Sequence, residues 1–181
     1  MKKICILLVF LCQQFAFAQS SSKEFSISDA LTNKSGSIFE RDFKSFQIFK
    51  KMDIQIMRFL DISTGDSTVS IVFEYYYKSS SNSYLNENKL GVVQKSELKD
   101  LITTAKYMED IYFKNIYANY KDVEYKCQSG FKIGGFVATE NSFIWNRYVK
   151  LSKESNSTIF LNGPEFREFI IILERIQDAI K

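Results

Sequence analysis

The chain has 181 residues, of which 45% are hydrophobic, 15% aromatic and 25% charged, and its formal net charge is +3. This composition, with one proline and seven glycines, predicts a globular protein and excludes a disordered or collagen-like chain. The sequence contains no histidine, which excludes imidazole-based catalytic triads and histidine metal ligands.

Residues 1–18 have the pattern of a secretory signal peptide. Two lysines precede an apolar run of nine residues that ends at Cys12, and alanines stand at the −3 and −1 positions of a cleavage site after Ala18. The run is too short to span a membrane, which takes about twenty residues. A lipid anchor on Cys12 is the competing interpretation, but Leu11 is bulky where a lipobox has Gly or Ala. We therefore expect export, with Gln19 as the first mature residue.

Removal of the signal peptide changes both the charge and the cysteine count. It leaves 22 basic and 21 acidic residues, a net charge of +1, which gives no electrostatic reason to expect a nucleic-acid partner. Cys127 is then the single cysteine, so an intrachain disulfide is excluded. Because Cys127 alternates with Val123 and Tyr125, we expect it to be a small buried apolar residue.

The mature chain divides into two parts. Residues 19–37 are small and polar, which predicts a flexible N-terminal segment. Residues 38–181 carry regular apolar patterns and are expected to form a single α+β domain.

The first part of this domain contains strand patterns. The apolar spacing in residues 38–51 fits either a short helix or a strand. Alternating apolar residues predict strands at Asp53–Ile62 and Thr68–Lys78, joined by a turn at residues 63–66 as a β-hairpin. Further strands are predicted at residues 90–94, 123–128, 131–139, 143–151 and 157–161.

Two amphipathic helices follow the strand groups. One apolar stripe runs from Leu98 to Tyr112, and the other helix is predicted at Pro164–Ile180 with a capping box before it. Glu97–Ile102 and Glu165–Ile170 match in charge and apolarity at all six places, 68 residues apart.

These elements predict an α+β fold of antiparallel strand meanders, each followed by an amphipathic helix. The match between the helices suggests two tandem repeats, at residues 52–112 and 122–181, that share one core. The alternative is chance, since any two amphipathic helices can be aligned so that many positions agree.

This order of strands and helices is similar in topology to the Whirly, PUR and PC4-type single-strand-binding folds. The similarity implies a single-strand nucleic-acid-binding module as an alternative function. The export signal and the mature charge of +1 argue against that alternative.

Tyrosines are the leading binding candidates. Neighbouring residues of a strand point to opposite faces, so the run Tyr75, Tyr76 and Tyr77 cannot lie wholly on one buried face. Exposed rings can stack on a sugar, a peptide or another protein. The candidate binding residues are Tyr75, Tyr76, Tyr77, Tyr84, Trp145 and Tyr148. The competing interpretation is that these rings simply cover a thin core.

Catalytic, metal and cofactor sites are not expected. Ser96 and Lys99 form an S-x-x-K pattern, as in penicillin-binding enzymes, but no S-D-N or K-T-G motif accompanies it, so Ser96 is expected to cap a helix. A hydrolase that uses carboxylates or this Ser/Lys pair remains an alternative. The tripeptide Asp66-Ser67-Thr68 resembles an O-glycosylation acceptor of some bacterial envelopes, which makes Ser67 a candidate modification site.

Together these patterns predict an exported bacterial envelope protein, located in the periplasm, outer envelope or medium. We expect a non-enzymatic binding or structural module for a protein or glycan partner, with no transmembrane segment after cleavage of the signal.

Overall fold

A computed structural model describes residues 38–78, 86–114, 121–137, 147–152 and 158–181, without the side chains of residues 76–78, 86–90 and 136–137. These residues form two four-stranded antiparallel sheets and two α-helices, so the predicted α+β fold is confirmed. The predicted signal peptide, with its predicted cleavage site between Ala18 and Gln19, and the segment 19–37 lie outside the described residues.

The first sheet has its strands in chain order: β1 (Phe39–Phe49), β2 (Met52–Asp61), β3 (Ser67–Lys78) and β4 (Asn86–Gln94). Residues 38–51, whose spacing fitted helix or strand, are mostly strand because β1 pairs with β2 along its whole length, with a register shift between Ser45 and Gln47. The first meander therefore begins with β1 at residue 39, ahead of residue 52, where the first of the two repeats was predicted to start.

The predicted hairpin turn between β2 and β3 is confirmed. Gly65 adopts a φ of 78°, a left-handed conformation that glycine tolerates, and its N–H donates to the Asp61 carbonyl at 2.7 Å. The Asp61 carboxylate accepts a hydrogen bond from the Ser63 N–H at 2.9 Å, which stabilises the turn. Ser67 is exposed at the start of β3, beside this turn.

A helix, a second meander sheet and a second helix follow along the chain. Helix α1 (Lys95–Glu109) runs into a π-helical turn at Asp110–Lys114. The second sheet contains β5 (Lys121–Lys126), β6 (Lys132–Val137), β7 (Arg147–Ser152) and β8 (Ile159–Leu161), and helix α2 (Gly163–Ala179) follows.

The start of α1 differs from the prediction, whereas the start of α2 agrees with it. Gln94, the last residue of β4, is the N-cap of α1, and the Glu97 carboxylate accepts a hydrogen bond from its N–H at 3.0 Å. Ser96 lies inside the first turn and is exposed, so its predicted capping role is wrong: the helix begins directly where the strand ends. The predicted capping box of α2 is confirmed, with Asn162 and Glu165 bonded reciprocally at 3.0 Å.

The 68-residue offset between the two helices also relates their caps and their buried residues. It aligns the N-cap Gln94 with the N-cap Asn162, and it aligns five buried positions of α1 with five of α2. The aligned pairs are Leu98/Phe166, Leu101/Phe169, Ile102/Ile170, Ala105/Leu173 and Met108/Ile176. The two halves thus share strand order and helix packing, while their origin by duplication stays a hypothesis.

One hydrophobic cluster joins both sheets and both helices. At its centre Phe73 of β3 stacks on Phe131, just before β6, with ring centroids 4.6 Å apart and planes 13° apart. Phe169 of α2 lies 6.0 Å from the Phe73 ring. Gly91 of β4 makes room for this stack, since a Cβ there would lie 2.7 Å from a Phe131 ring atom.

We expect Phe73→Ala to lower the free energy of unfolding by about 3–5 kcal/mol, because it leaves a cavity where the two sheets meet. Urea denaturation measures the loss. Tyr107→Ala is the matched control: Tyr107 is 56% exposed on α1, and its loss should be within about 0.5 kcal/mol of zero. Equal effects of the two substitutions would contradict the shared core.

Candidate functional site

The inner face of each sheet is occupied by the helices, which leaves the opposite faces for contact with other molecules. On the second sheet, Val123, Ile133 and Val149 belong to or pack against the core, so their strand neighbours point the other way. We call these neighbours the β5–β8 outer face; the described side chains are Asp122, Glu124, Lys126, Lys132, Tyr148, Lys150, Ser152 and Phe160.

Two aromatic rings meet on this face. Tyr148 of β7 and Phe160 of β8 contact edge to face, with centroids 5.0 Å apart and planes at 82°. Tyr148 is half-buried, whereas Phe160 is 56% exposed. A large ring that is this exposed at the centre of a strand is available for stacking against a ligand.

A glycine shapes the surface beside the rings. The register aligns Glu124, Gly134, Lys150 and Phe160 in one row across the four strands. Gly134 has no side chain, and a Cβ there would lie 3.2 Å from the Val123 carbonyl oxygen and 3.5 Å from the Glu124 Cβ, so glycine allows β5 and β6 to pack closely. The row thus carries a carboxylate and an ammonium on either side of Gly134 and ends in an aromatic ring.

The face is slightly basic. It carries three lysines and two carboxylates among its described side chains, and Lys132 pairs with Glu124 at 3.2 Å. In the part of the chain that the structure describes, Lys126 and Lys150 pair with no carboxylate. Both ammonium groups are hydrogen-bond donors without an ion-pair partner among the described residues.

Tyr75, the first of the predicted binding residues, is not on any exposed face. It is 3% exposed and belongs to the core, and burial raises the pKa of its hydroxyl far above the usual value. The alternation in β3 turns Tyr75 inward with Ile71 and Phe73, so its assignment as an exposed ring is wrong.

Of the other predicted residues, only Tyr148 can be placed. The side chains of Tyr76 and Tyr77 are outside the described part of the structure, as are Tyr84 and Trp145. Phe160 was missed by the sequence analysis. Three consecutive apolar residues do not show in the sequence which of them points outward; the structure turns Ile159 and Leu161 into the core and Phe160 away from it.

A second surface feature is an open groove between the helices, of about 510 Å³. Its charged groups bind one another: Arg167 contacts Glu109 at 2.7 Å, and Lys106 contacts Glu174 at 2.6 Å. The Glu109 side chain is only 12% exposed and already has a partner. These pairs join α1 to α2, so the groove is better explained as helix packing than as a binding site.

No arrangement in the described residues resembles a catalytic centre. Ser96 and Lys99 are both exposed at the start of α1, and no hydrogen bond between their side chains occurs in the described part. Groups of three or more metal-ligating side chains are also absent from the described ranges.

Cys127 is buried in the core as the sequence predicted, at 1% exposure. Burial, with the Glu97 carboxylate as a smaller cause, raises the pKa of its thiol to about 12. The thiol is therefore protonated at neutral pH and is a poor nucleophile.

Comparison of the chain with protein-family models, curated proteins and solved structures gives no match. Among the described residues, no helix combines the length and the apolar character needed to cross a membrane.

We expect folded protein at pH 8 to leave Cys127 unlabelled by a thiol reagent such as dithionitrobenzoate, whereas urea-unfolded protein reacts fully. The raised pKa also predicts that stability falls as the pH climbs from about 9 towards 12, because only the unfolded thiol ionises there. Rapid, complete labelling of the folded protein at pH 8 would contradict the buried thiol.

Proposed function

We propose that this chain is an exported, non-enzymatic binding protein of a bacterial envelope, and that its ligand is a glycan held on the β5–β8 outer face. The exposed Phe160 ring, set edge to face against Tyr148, is the observation that carries the proposal.

The chemistry of the face suits a sugar. An aromatic ring can stack on the apolar C–H face of a pyranose, and the neighbouring lysine and carboxylate groups can bond its hydroxyls. Glu124 and Lys150 lie in one row with Phe160, on either side of Gly134. Aromatic stacking supplies contact area, and the charged groups supply orientation.

The charge of the face narrows the glycan class. Lys126 and Lys150, which have no carboxylate partner in the described residues, favour a glycan with carboxylate or sulfate groups. Binding should then weaken with added salt, because exposed charges are screened.

A single-stranded nucleic acid is the second candidate, since aromatic rings and lysines also bind bases and phosphates. The two meander-plus-helix halves favour it by analogy of topology alone. Comparison of acidic oligosaccharides with oligonucleotides as ligands separates the two.

The mature chain should bind acidic oligosaccharides on an array, and Phe160→Ala should weaken binding by about 1–3 kcal/mol, or roughly five- to 150-fold. Tyr107→Ala removes an equally exposed ring on α1 and should leave affinity unchanged. Lys150→Ala should reduce both affinity and its salt dependence, with Lys99→Ala as its control. Oligonucleotide binding without oligosaccharide binding would favour the second candidate.

Export has its own test. We expect the native protein in the periplasm, outer envelope or medium, with an intact mass that corresponds to a chain starting at Gln19. Mass spectrometry of the fractionated protein measures this. An uncleaved chain in the cytoplasm would contradict export and remove the main argument against a nucleic-acid partner.

A further inference from the structure

The middle of the outer face of the first sheet, on the side away from both helices, is apolar and buried, whereas Phe43 and Ile48 on the same face are 49% and 72% exposed. We call the whole face the β1–β4 outer face; its described apolar side chains are Phe39, Phe43, Ile48, Met57, Phe59, Val72 and Val92. Ile71 and Phe73 point to the helices, so Val72 between them points away. Phe59 is 0%, Val72 1% and Met57 5% exposed.

Neighbours within the sheet do not account for this burial. Phe39 lies beside Phe59 with ring centroids 5.0 Å apart, and Val92 packs beside Met57 and Val72. These neighbours flank the three residues, but residues of a single sheet layer cannot cover one another from above. Among the described helices and strands, none packs on this face. Something else must cover it.

A buried polar side chain also indicates that something covers this face. Ser70, directly opposite Met57 on this face, is 0% exposed, and its hydroxyl has no hydrogen-bond partner among the described residues. A buried hydroxyl without a partner is costly, and a main-chain segment laid over the face could supply one.

The chain enters the fold at this face. Ile38 is held at the end of the sheet by its N–H, which donates to Ser63 Oγ at 3.3 Å, and by its carbonyl, which accepts from the Ile62 N–H at 2.9 Å. The next residue, Phe39, already belongs to the face. The chain just before residue 38 therefore starts at the edge of the covered surface.

We propose that residues 19–37 lie across the β1–β4 outer face and bury it. These nineteen residues reach up to roughly 60 Å when extended, and crossing four strands takes roughly 14 Å. The segment carries Phe25, Ile27 and Leu31 among mostly polar residues, which gives it three apolar side chains to bury against such a face. The composition of residues 19–37 predicts a flexible segment, whereas the proposal docks this segment on the buried face.

Methionine oxidation tests the proposal, because it reports burial residue by residue. The mature chain has three methionines: Met57 on this face, and Met52 and Met108 in the core, each 0% exposed. In the mature chain, peroxide should oxidise Met57 as slowly as Met52 and Met108.

Substitution of the three apolar side chains, F25S/I27S/L31S, should raise the oxidation rate of Met57 several-fold and leave Met52 and Met108 slow. The single variant Ile27→Ser should give a smaller change of the same kind. S26T/S28T, which keeps the apolar residues of the segment, is the matched control and should leave all three rates unchanged.

Three results would overturn the proposal. The first is rapid oxidation of Met57 in the unchanged chain or continued protection in the triple variant. The second is a parallel rise of all three rates, since the segment contacts only the outer face. The third is protection of Met57 that disappears on dilution, which would identify a second copy of the chain as the cover.

Discussion

The stack of Phe73 on Phe131 is the contact on which the rest of the structure depends. It joins the first sheet to the second, and Phe169 adds α2 to the same cluster. The stack requires Gly91, because any side chain there would enter the Phe131 ring. Neither sheet with its helix has a separate core, since one cluster draws residues from all the layers. Each half therefore needs the other to bury its apolar side chains.

This arrangement determines which surfaces remain for function. Both helices lie on the inner faces of the sheets, so neither helix covers the outer faces. The two outer faces differ in chemistry. That of the second sheet carries charges and the Tyr148–Phe160 pair, which suits a polar ligand. That of the first is apolar and already buried around Met57 and Val72, which suits a part of the same chain. The groove between the helices is occupied by its own ion pairs.

Much of the fold could be predicted from local patterns, but the candidate site could not. Alternation identified β2 and β3, and the capping box identified the start of α2, because both signals depend on near neighbours. For residues 38–51 the phenylalanine spacing fitted two structures, and pairing with β2 decided between them. Tyr75 looked as available as its neighbours, yet the direction of β3 relative to the helices buries it. Phe160 was overlooked because a single ring in a three-residue strand carries little local signal.

The sequence by itself determined the α+β class, the strand and helix order, the expectation of export and the absence of imidazole chemistry, since these follow from composition, periodicity and short motifs. Only the tertiary structure decided which side of each strand faces the helices, which rings meet across β7 and β8, and where β1 belongs. Those outcomes depend on contacts between residues far apart in the chain, such as Phe73 with Phe131. Periodicity shows that a strand has two faces, but packing decides which of them is buried.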